Sequence, residues 1–241
     1  MPLSTLSRSI EGQVAIVTGV ASGMGRATAR LFGDEGVRVA LIDISEVRLR
    51  QVVTEMTDVG YDAKGWGLDL SDVDILVNNA GIGAGAAIDD EDYFAVWNRA
   101  VAIMLAVHVH TIRASLPYIR KSAYGRIVNI ASTEGLGATK NISPYTTAKT
   151  GIIDLTRSLA VELGPEAISV NCICPGPIRT GMTADIPDEH KEIFAKRRVA
   201  LHRYAELEEV AHSTLSLVLP ASQYITGVAL LVDGGLTIKN A

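Results

Sequence analysis

A serine, a tyrosine and a lysine within Gly125 to Lys149 carry the chemistry that is most legible in this sequence. Ser132 ends an apolar, strand-like run, Tyr145 follows thirteen positions later, and Lys149 comes one helical turn after that. A tyrosine and a lysine at i and i+4 stand on one face of a helix, so a phenol and an ammonium share a small site. A free tyrosine has a pKa of about 10, and a nearby positive charge favours the phenolate. Such a pair can exchange a proton near neutrality while the serine hydroxyl holds a substrate oxygen against the phenol. Tyr-x-x-x-Lys alone also falls by chance on many exposed helices, so its weight depends on the elements that position it.

Those elements begin with Val14 to Thr18, a short apolar run of the kind buried on both faces of a parallel sheet. It feeds into TGVASGMG, where Gly19, Ser22, Gly23, Met24 and Gly25 lead into an apolar helical pattern that Gly36 stops. Strand, glycine turn and helix in succession suit a pyrophosphate, because glycines allow close approach and the helix start offers free N–H groups. A plain glycine-rich turn is the competing reading. Val37 to Ile42 is the next strand and ends in Asp43. A carboxylate there accepts hydrogen bonds from both hydroxyls of an adenosine ribose and repels a 2'-phosphate, which points to NAD rather than NADP. Ser22 adds no positive charge to the loop, and Arg48 reads as part of a solvated helix face.

Glu46 to Val59 reads as a helix, Ala63 to Leu70 as a third strand, and Ile75 to Val77 as a fourth that runs into Asn78, Asn79, Ala80 and Gly81. Here the chain resembles the short-chain dehydrogenase/reductase family, in the branch with a TGxxxGxG cofactor loop. Four motifs carry the resemblance: TGVASGMG, NNAG, Ser132 with YTTAK, and PGPIRT at Pro175 to Thr180. It extends from about Gly12 to the DGG at Asp233 to Gly235. The resemblance implies a single α/β domain over residues 1–241, a doubly wound parallel sheet of Rossmann type with helices on both faces. It also implies that Asp69 and Leu70 flank the adenine, that Asn79, Ala80 and Gly81 line the cofactor floor, and that Pro175, Gly176, Ile178 and Thr180 meet the nicotinamide carboxamide. Ser132 would orient the substrate oxygen, Tyr145 exchange the proton, and Lys149 hold the nicotinamide ribose and lower the tyrosine pKa. The segment after Thr180 would form a lid. The helices of about Tyr93 to Ser122 and Thr146 to Leu163 would pack against a second subunit, giving a homo-oligomer, a tetramer or dimer, although both could simply cover the sheet.

Composition sets bounds on the alternatives. At 241 residues and 48% hydrophobic content the chain can bury a substantial core. A net charge of -5 with pI near 5.6 argues against a nucleic-acid or anionic-membrane partner, either of which needs a concentrated basic face. The start lacks a signal-like build and the longest uninterrupted apolar runs are too short for a bilayer, so a soluble cytoplasmic protein is expected. Cys172 and Cys174 lie in the apolar run SVNCICP, where i and i+2 on a strand sit about 6.6 Å apart on one face. Core packing is expected there, with no disulfide and no metal, since two further ligands are not evident nearby.

Two departures stand out. Only Leu70 to Val73 separates Asp69 from Asp74, whereas a parallel crossover needs a dozen residues or more. In the strand order 3-2-1-4-5-6 the linker must cover a diagonal of about 22 Å, and five Cα steps reach roughly 18 Å. Either the sequence lacks a crossover helix of about twenty residues, or strand three is rearranged; the intact flanking motifs favour the first, with a break between about Leu70 and Asp74. The second departure is Met104. Relatives usually carry an asparagine there that organises a water linked to the lysine, and methionine cannot replace an amide's hydrogen bonds. His108, at i+4, can bring a polar group to the same region or simply pack within a helix interface.

The leading expectation is therefore NAD-dependent interconversion of a secondary alcohol and a ketone. A 3-oxoacyl-thioester reductase is one alternative, opposed by Asp43; a nucleotide-binding protein without turnover is another, favoured by Met104 and opposed by the intact Ser-Tyr-Lys set. Leu136, Ala138, Ile142 and Met182 suggest an apolar substrate pocket, with Glu134 facing either a polar group or solvent.

Overall fold

The computed structural model describes residues 6–65 and 73–240. Seven parallel strands form one sheet: β1 (Val14–Thr18), β2 (Arg38–Ile42), β3 (Ala63–Gly65), β4 (Ile75–Asn78), β5 (Arg126–Ile130), β6 (Ser169–Pro175) and β7 (Ala229–Val232). Their spatial order is β3-β2-β1-β4-β5-β6-β7, so the order reverses between β1 and β4, where Val17 sits beside Val77. In such a sheet the crevice beyond the strand ends at the reversal is where a dinucleotide binds. This is the expected doubly wound fold of a single Rossmann-like domain.

Side chains alternate across the strands, and both faces are covered. On one face Ala15, Val17, Val39, Leu41, Ile75 and Val77 meet Phe32 of α1 (Gly23–Asp34), Val52 and Met56 of α2 (Glu46–Asp58), and Val210 and Leu217 of α7 (Leu207–Val218). On the other, Ile16, Leu76, Ile127 and Val170 pack with Ile112 of α4 (Val107–Ile119) and Leu163 of α5 (Ser143–Leu163). Burying one such side chain contributes about 1.5 to 3 kcal/mol, which makes the five-residue apolar runs effective anchors. Two shorter helices complete the set: α3 (Tyr93–Ala100) and α6 (Asp188–Arg198), the latter in the segment expected to be the lid. Cys172 and Cys174 are free and fully buried in β6, as the core reading anticipates.

Details differ from the sequence reading. The buried face of α5 runs through Lys149, Ile152, Ile153, Thr156, Ala160 and Leu163, leaving Leu155 and Leu159 half-buried. Of the apolar positions legible in the sequence of this helix, Ile152, Leu155, Leu159 and Leu163, the first and last lie on the buried face. Between α3 and α4 lies a π-helical turn, Val101–Ala106, which makes Tyr93–Ile119 one continuous helix of 27 residues. By length and composition alone it is apolar enough to cross a membrane, although its apolar runs are interrupted by Arg99 and Arg113. Its stripe of His108, Ile112, Ser115 and Ile119 is buried against the sheet, which places it in the helical layer of this fold. Asp69, Leu70 and the short connection before Asp74 fall outside the described residues.

Candidate active site

Every described residue expected to act lies at the carboxyl ends of β1, β2, β4, β5 and β6 or at the start of the helix that follows. Thr18, the last residue of β1, is buried, and its Oγ1 accepts hydrogen bonds from the backbone N–H groups of Asn79 (3.0 Å) and Ala80 (3.1 Å). In return Asn79 Nδ2 donates to the carbonyls of Thr18 (3.0 Å) and Gly19 (3.2 Å). The NNAG turn is thereby fastened to the glycine loop. Gly19 has φ +71°, and a Cβ there would lie 2.8 Å from the Ala80 Cα; one on Gly25 would collide with Asn79 Nδ2 and the Gly19 carbonyl. The backbones approach too closely for any side chain. Helix α1 then starts at Gly23 with Ser22 in extended conformation making no side-chain cap and no acidic residue in the first turn, which leaves its free N–H groups for an anion.

Asp43 completes this half. One carboxylate oxygen accepts from Ala21 N (2.9 Å) in the glycine loop, the other from Ser45 N (2.9 Å). Both oxygens retain lone pairs for further donors. Arg48 is exposed and its Nε donates to Ser45 Oγ at 3.2 Å, so it sits on the same corner as Asp43 without pairing with it.

On the other side of the reversal, Ser132 follows β5 and caps a 3-10 turn, Thr133–Gly135, by accepting from Glu134 N at 3.1 Å. That bond occupies a lone pair and leaves the hydroxyl proton free to donate. Helix α5 starts at Ser143 with Pro144 in its first turn, where a missing N–H costs nothing. It delivers Tyr145 half-buried and Lys149 buried, with Lys149 Nζ donating to the Ile130 carbonyl at 2.8 Å and standing 5.7 Å from the Tyr145 ring centroid. Burial brings the Lys149 pKa down to about 8, with the Cys174 thiol opposing.

Tyr145 departs from expectation. Its pKa is raised: burial is the main cause, the Ser132 hydroxyl opposes it, and the Glu134 carboxylate adds to it. Lys149 is not among the groups that shift it. Met104, in the π turn, is fully buried in an apolar cluster with Ala84, Ala100 and Ala148, and Tyr145 packs against it. Methionine thus supplies a wall behind the phenol and no hydrogen bond.

The PGPIRT loop is held from two directions. Thr133 Oγ1 donates to the Pro175 carbonyl (3.3 Å), and Thr183 Oγ1 donates to the Ile178 carbonyl (2.9 Å) while accepting from Thr180 N (3.0 Å). A Cβ on Gly176 would lie 2.8 Å from the Asp233 Cα. Asp233 in turn accepts from Gly235 N, Thr237 N and the Thr237 hydroxyl. Sequence reasoning had assigned no role to Thr18 or Asp233. A threonine closing an otherwise apolar strand was the available signal for the first; the second is legible only from the fold. Leu136 and Met182 are exposed and Ile142 is half-buried, so the apolar candidates for a substrate wall are accessible.

The short chain dehydrogenase profile matches residues 13–191. The chain belongs to the short-chain dehydrogenase family. Among its curated relatives, the 3-oxoacyl-[acyl-carrier-protein] reductase FabG of Thermotoga maritima is 34% identical, covering 95% of this chain and 99% of the relative. The meso-2,3-butanediol dehydrogenase of Serratia marcescens is 32% identical over 95% and 96%. Among solved structures, a variant of the actinorhodin polyketide ketoreductase with NADPH superposes with a TM-score of 0.86 at 31% identity, covering 98% of this chain and all of that one. Within the family these likenesses make the chain an oxidoreductase that uses a nicotinamide cofactor.

Proposed function

We propose that this chain interconverts a secondary alcohol and a ketone with NAD(H), Tyr145 acting as general acid and base. The observation that carries the reading is the convergence of Ser132, Tyr145 and Lys149 at the carboxyl end of β5 and the first turns of α5, on the same edge of the sheet as the glycine cradle. The nicotinamide supplies the hydride acceptor or donor when bound. The cradle fits such a group: bare Cα atoms at Gly19 and Gly25, uncapped N–H groups at the start of α1, and the Asp43 carboxylate at the edge. Gly19, Ser22, Gly23, Met24 and Gly25 would take the pyrophosphate side, Asn79, Ala80 and Gly81 the floor, and Pro175, Gly176, Ile178 and Thr180 the carboxamide. Ser132 donates its free proton to the substrate oxygen. Tyr145 takes or gives the proton on that same oxygen. Lys149, fixed by Ile130, orients the ribose beside the phenol.

Preference for NAD rests on Asp43, whose charge opposes a 2'-phosphate. A steady-state comparison is decisive: kcat/KM for an alcohol panel is at least tenfold higher with NAD+ than with NADP+, and Asp43→Ser narrows that ratio. Equal or higher values with NADP+ would sink the NAD assignment. A second reading, reduction of a 3-oxoacyl thioester, is favoured by the identity to the Thermotoga reductase; turnover of such thioesters above that of simple ketones would select it. Cofactor binding without turnover of any substrate would select a binding protein. A homo-oligomer fits the exposed apolar side chains on the outer helices, Phe94 on α3, Val109 on α4 and Val161 on α5, and sedimentation velocity tests it.

A further inference from the structure

Tyr93 and Ser143 join the starts of two helices. Tyr93 is the first residue of α3 and is buried, and its Oη stands 2.9 Å from the Oγ of Ser143, the first residue of α5; either hydroxyl can donate. Helix α5 begins without a side-chain cap, because Ile142 occupies the N-cap position, and Asn141 before it holds φ +65°, a left-handed conformation uncommon outside glycine. The entry to the helix is held from across instead. Ala86 N donates to the Asn141 carbonyl at 2.8 Å, and Tyr93 takes Ser143. Asp90 ties those two points of attachment together, its Oδ2 accepting from Ala87 N (2.7 Å) and its carbonyl from Tyr93 N (3.1 Å). The Tyr93 ring is itself fixed, stacked on Trp97 with centroids 6.2 Å apart and edge-on to Phe94 at 5.9 Å.

Further along, the contact between the helices is apolar. Ala100 and Met104 pack with Ala148, Tyr145 lies against this cluster, and a Cβ on Gly151 would come within 3.0 Å of Leu105 Cδ2. Apolar attraction is non-directional, so it sets how closely the helices lie and not how far one has slid or turned along the other. Among the described residues, the Tyr93–Ser143 bond is the one hydrogen bond between the helix Tyr93–Ile119 and α5. We propose that Tyr93 is a positioning residue for Tyr145: by gripping Ser143 it fixes the first turn of α5 along the Met104 wall, and with it the place of the phenol two residues on. A small misplacement of a reacting group costs rate without weakening cofactor binding, which is the signature such a residue leaves.

This inference rests on the proposed role of Tyr145, and its test reads the phenol with and without turnover. Tyr93→Phe keeps the ring and deletes the hydroxyl; it is expected to lower kcat for the best alcohol of the panel by about threefold to tenfold, the range of one neutral hydrogen bond, with cofactor Kd unchanged. Ser143→Ala lowers kcat equally and the double variant no further, since both remove the same bond, while Ser143→Thr, which keeps a hydroxyl, recovers most of the rate. A lower Tm in Tyr93→Phe and Ser143→Ala with kcat at the parent value means a bond that only staples the helices and overturns the proposal, as do losses in kcat that add. If no alcohol is turned over, the reading of Tyr145 as acid and base fails, yet the positioning claim is still decided. In NMR spectra of protein labelled at the tyrosine Cζ carbon, the Tyr145 resonance, assigned by its loss in Tyr145→Phe, is expected to move in Tyr93→Phe and Ser143→Ala and to return in Ser143→Thr. An unmoved resonance overturns it. Should Tyr93→Phe not fold, Ser143→Ala against Ser143→Thr makes the same comparison.

Discussion

Lys149 reaches back from the second turn of α5 to the last carbonyl of β5, with Nζ 2.8 Å from Ile130 O, and this one bond ties the helix carrying the phenol to the strand carrying Ser132. Lys149→Met is expected to reduce kcat by about 10² or more in the proposed reaction. Stopped-flow separation of cofactor binding from turnover checks it; a change in KM alone would contradict it.

The same lysine has a stability signature. Its folded pKa, about 8, lies below the unfolded value of 10.5, so the folded form gives up its proton first as pH rises. Below about pH 8 the chain carries the full penalty of the buried charge, and between about 8 and 10.5 the unfolded state binds more protons, so this group's contribution to stability rises with pH. Lys149→Met removes that rise, on the order of 3 kcal/mol across the window. Urea unfolding of both proteins at pH 7.5 and 10 measures it as a difference of differences.

Tyr145 answers to two neighbours of opposite sense. Ser132 lowers its pKa and the Glu134 carboxylate raises it, against a background of burial that raises it further. Glu134→Gln should therefore move the acidic limb of alcohol oxidation to lower pH, and Ser132→Ala should move the residual activity to higher pH. Profiles of kcat/KM against pH read both. Shifts in one common direction would mean that the limb belongs to another group.

Gly25→Ala tests the cradle without touching the proton chemistry. The added methyl falls on Asn79 Nδ2 and the Gly19 carbonyl, so the NNAG turn and the glycine loop must separate. Destabilisation of about 1 to 3 kcal/mol and a loss of cofactor affinity of tenfold or more are expected. NADH fluorescence titration and thermal unfolding report them; unchanged affinity would place the cofactor elsewhere.

The connection before Asp74 gives a compositional test. If a crossover of about twenty residues belongs there, the intact mass of the protein isolated from its natural source exceeds 25.6 kDa by the mass of that segment. A mass equal to 25.6 kDa would show that the short connection is genuine.

Much of the frame was legible because its causes are local. Short apolar runs bounded by glycine specify buried parallel strands, and β1 was read to the residue at Val14–Thr18. The glycine loop and Tyr145 with Lys149 announced themselves by spacing. What stayed hidden depends on partners distant in sequence. Ile152 and Leu163 of α5 are buried as their hydropathy indicates, but Leu155 and Leu159 are only half-buried, because the fold sets which side of the helix is covered. The raised pKa of Tyr145 follows from burial, which no spacing reveals. Gly176 stood in the sequence only as part of PGPIRT, and the fold alone shows Asp233 against it.

That contact between Gly176 and Asp233 sets an order of assembly. The loop expected to receive the carboxamide is propped by residues from the end of β7 and beyond, which are made after the glycine cradle and after Ser132, Tyr145 and Lys149. During synthesis the glycine cradle and the Ser-Tyr-Lys group exist as sequence long before the prop that completes their far wall. A nascent chain still short of Thr237 lacks the contacts that hold Asp233 against the PGPIRT loop.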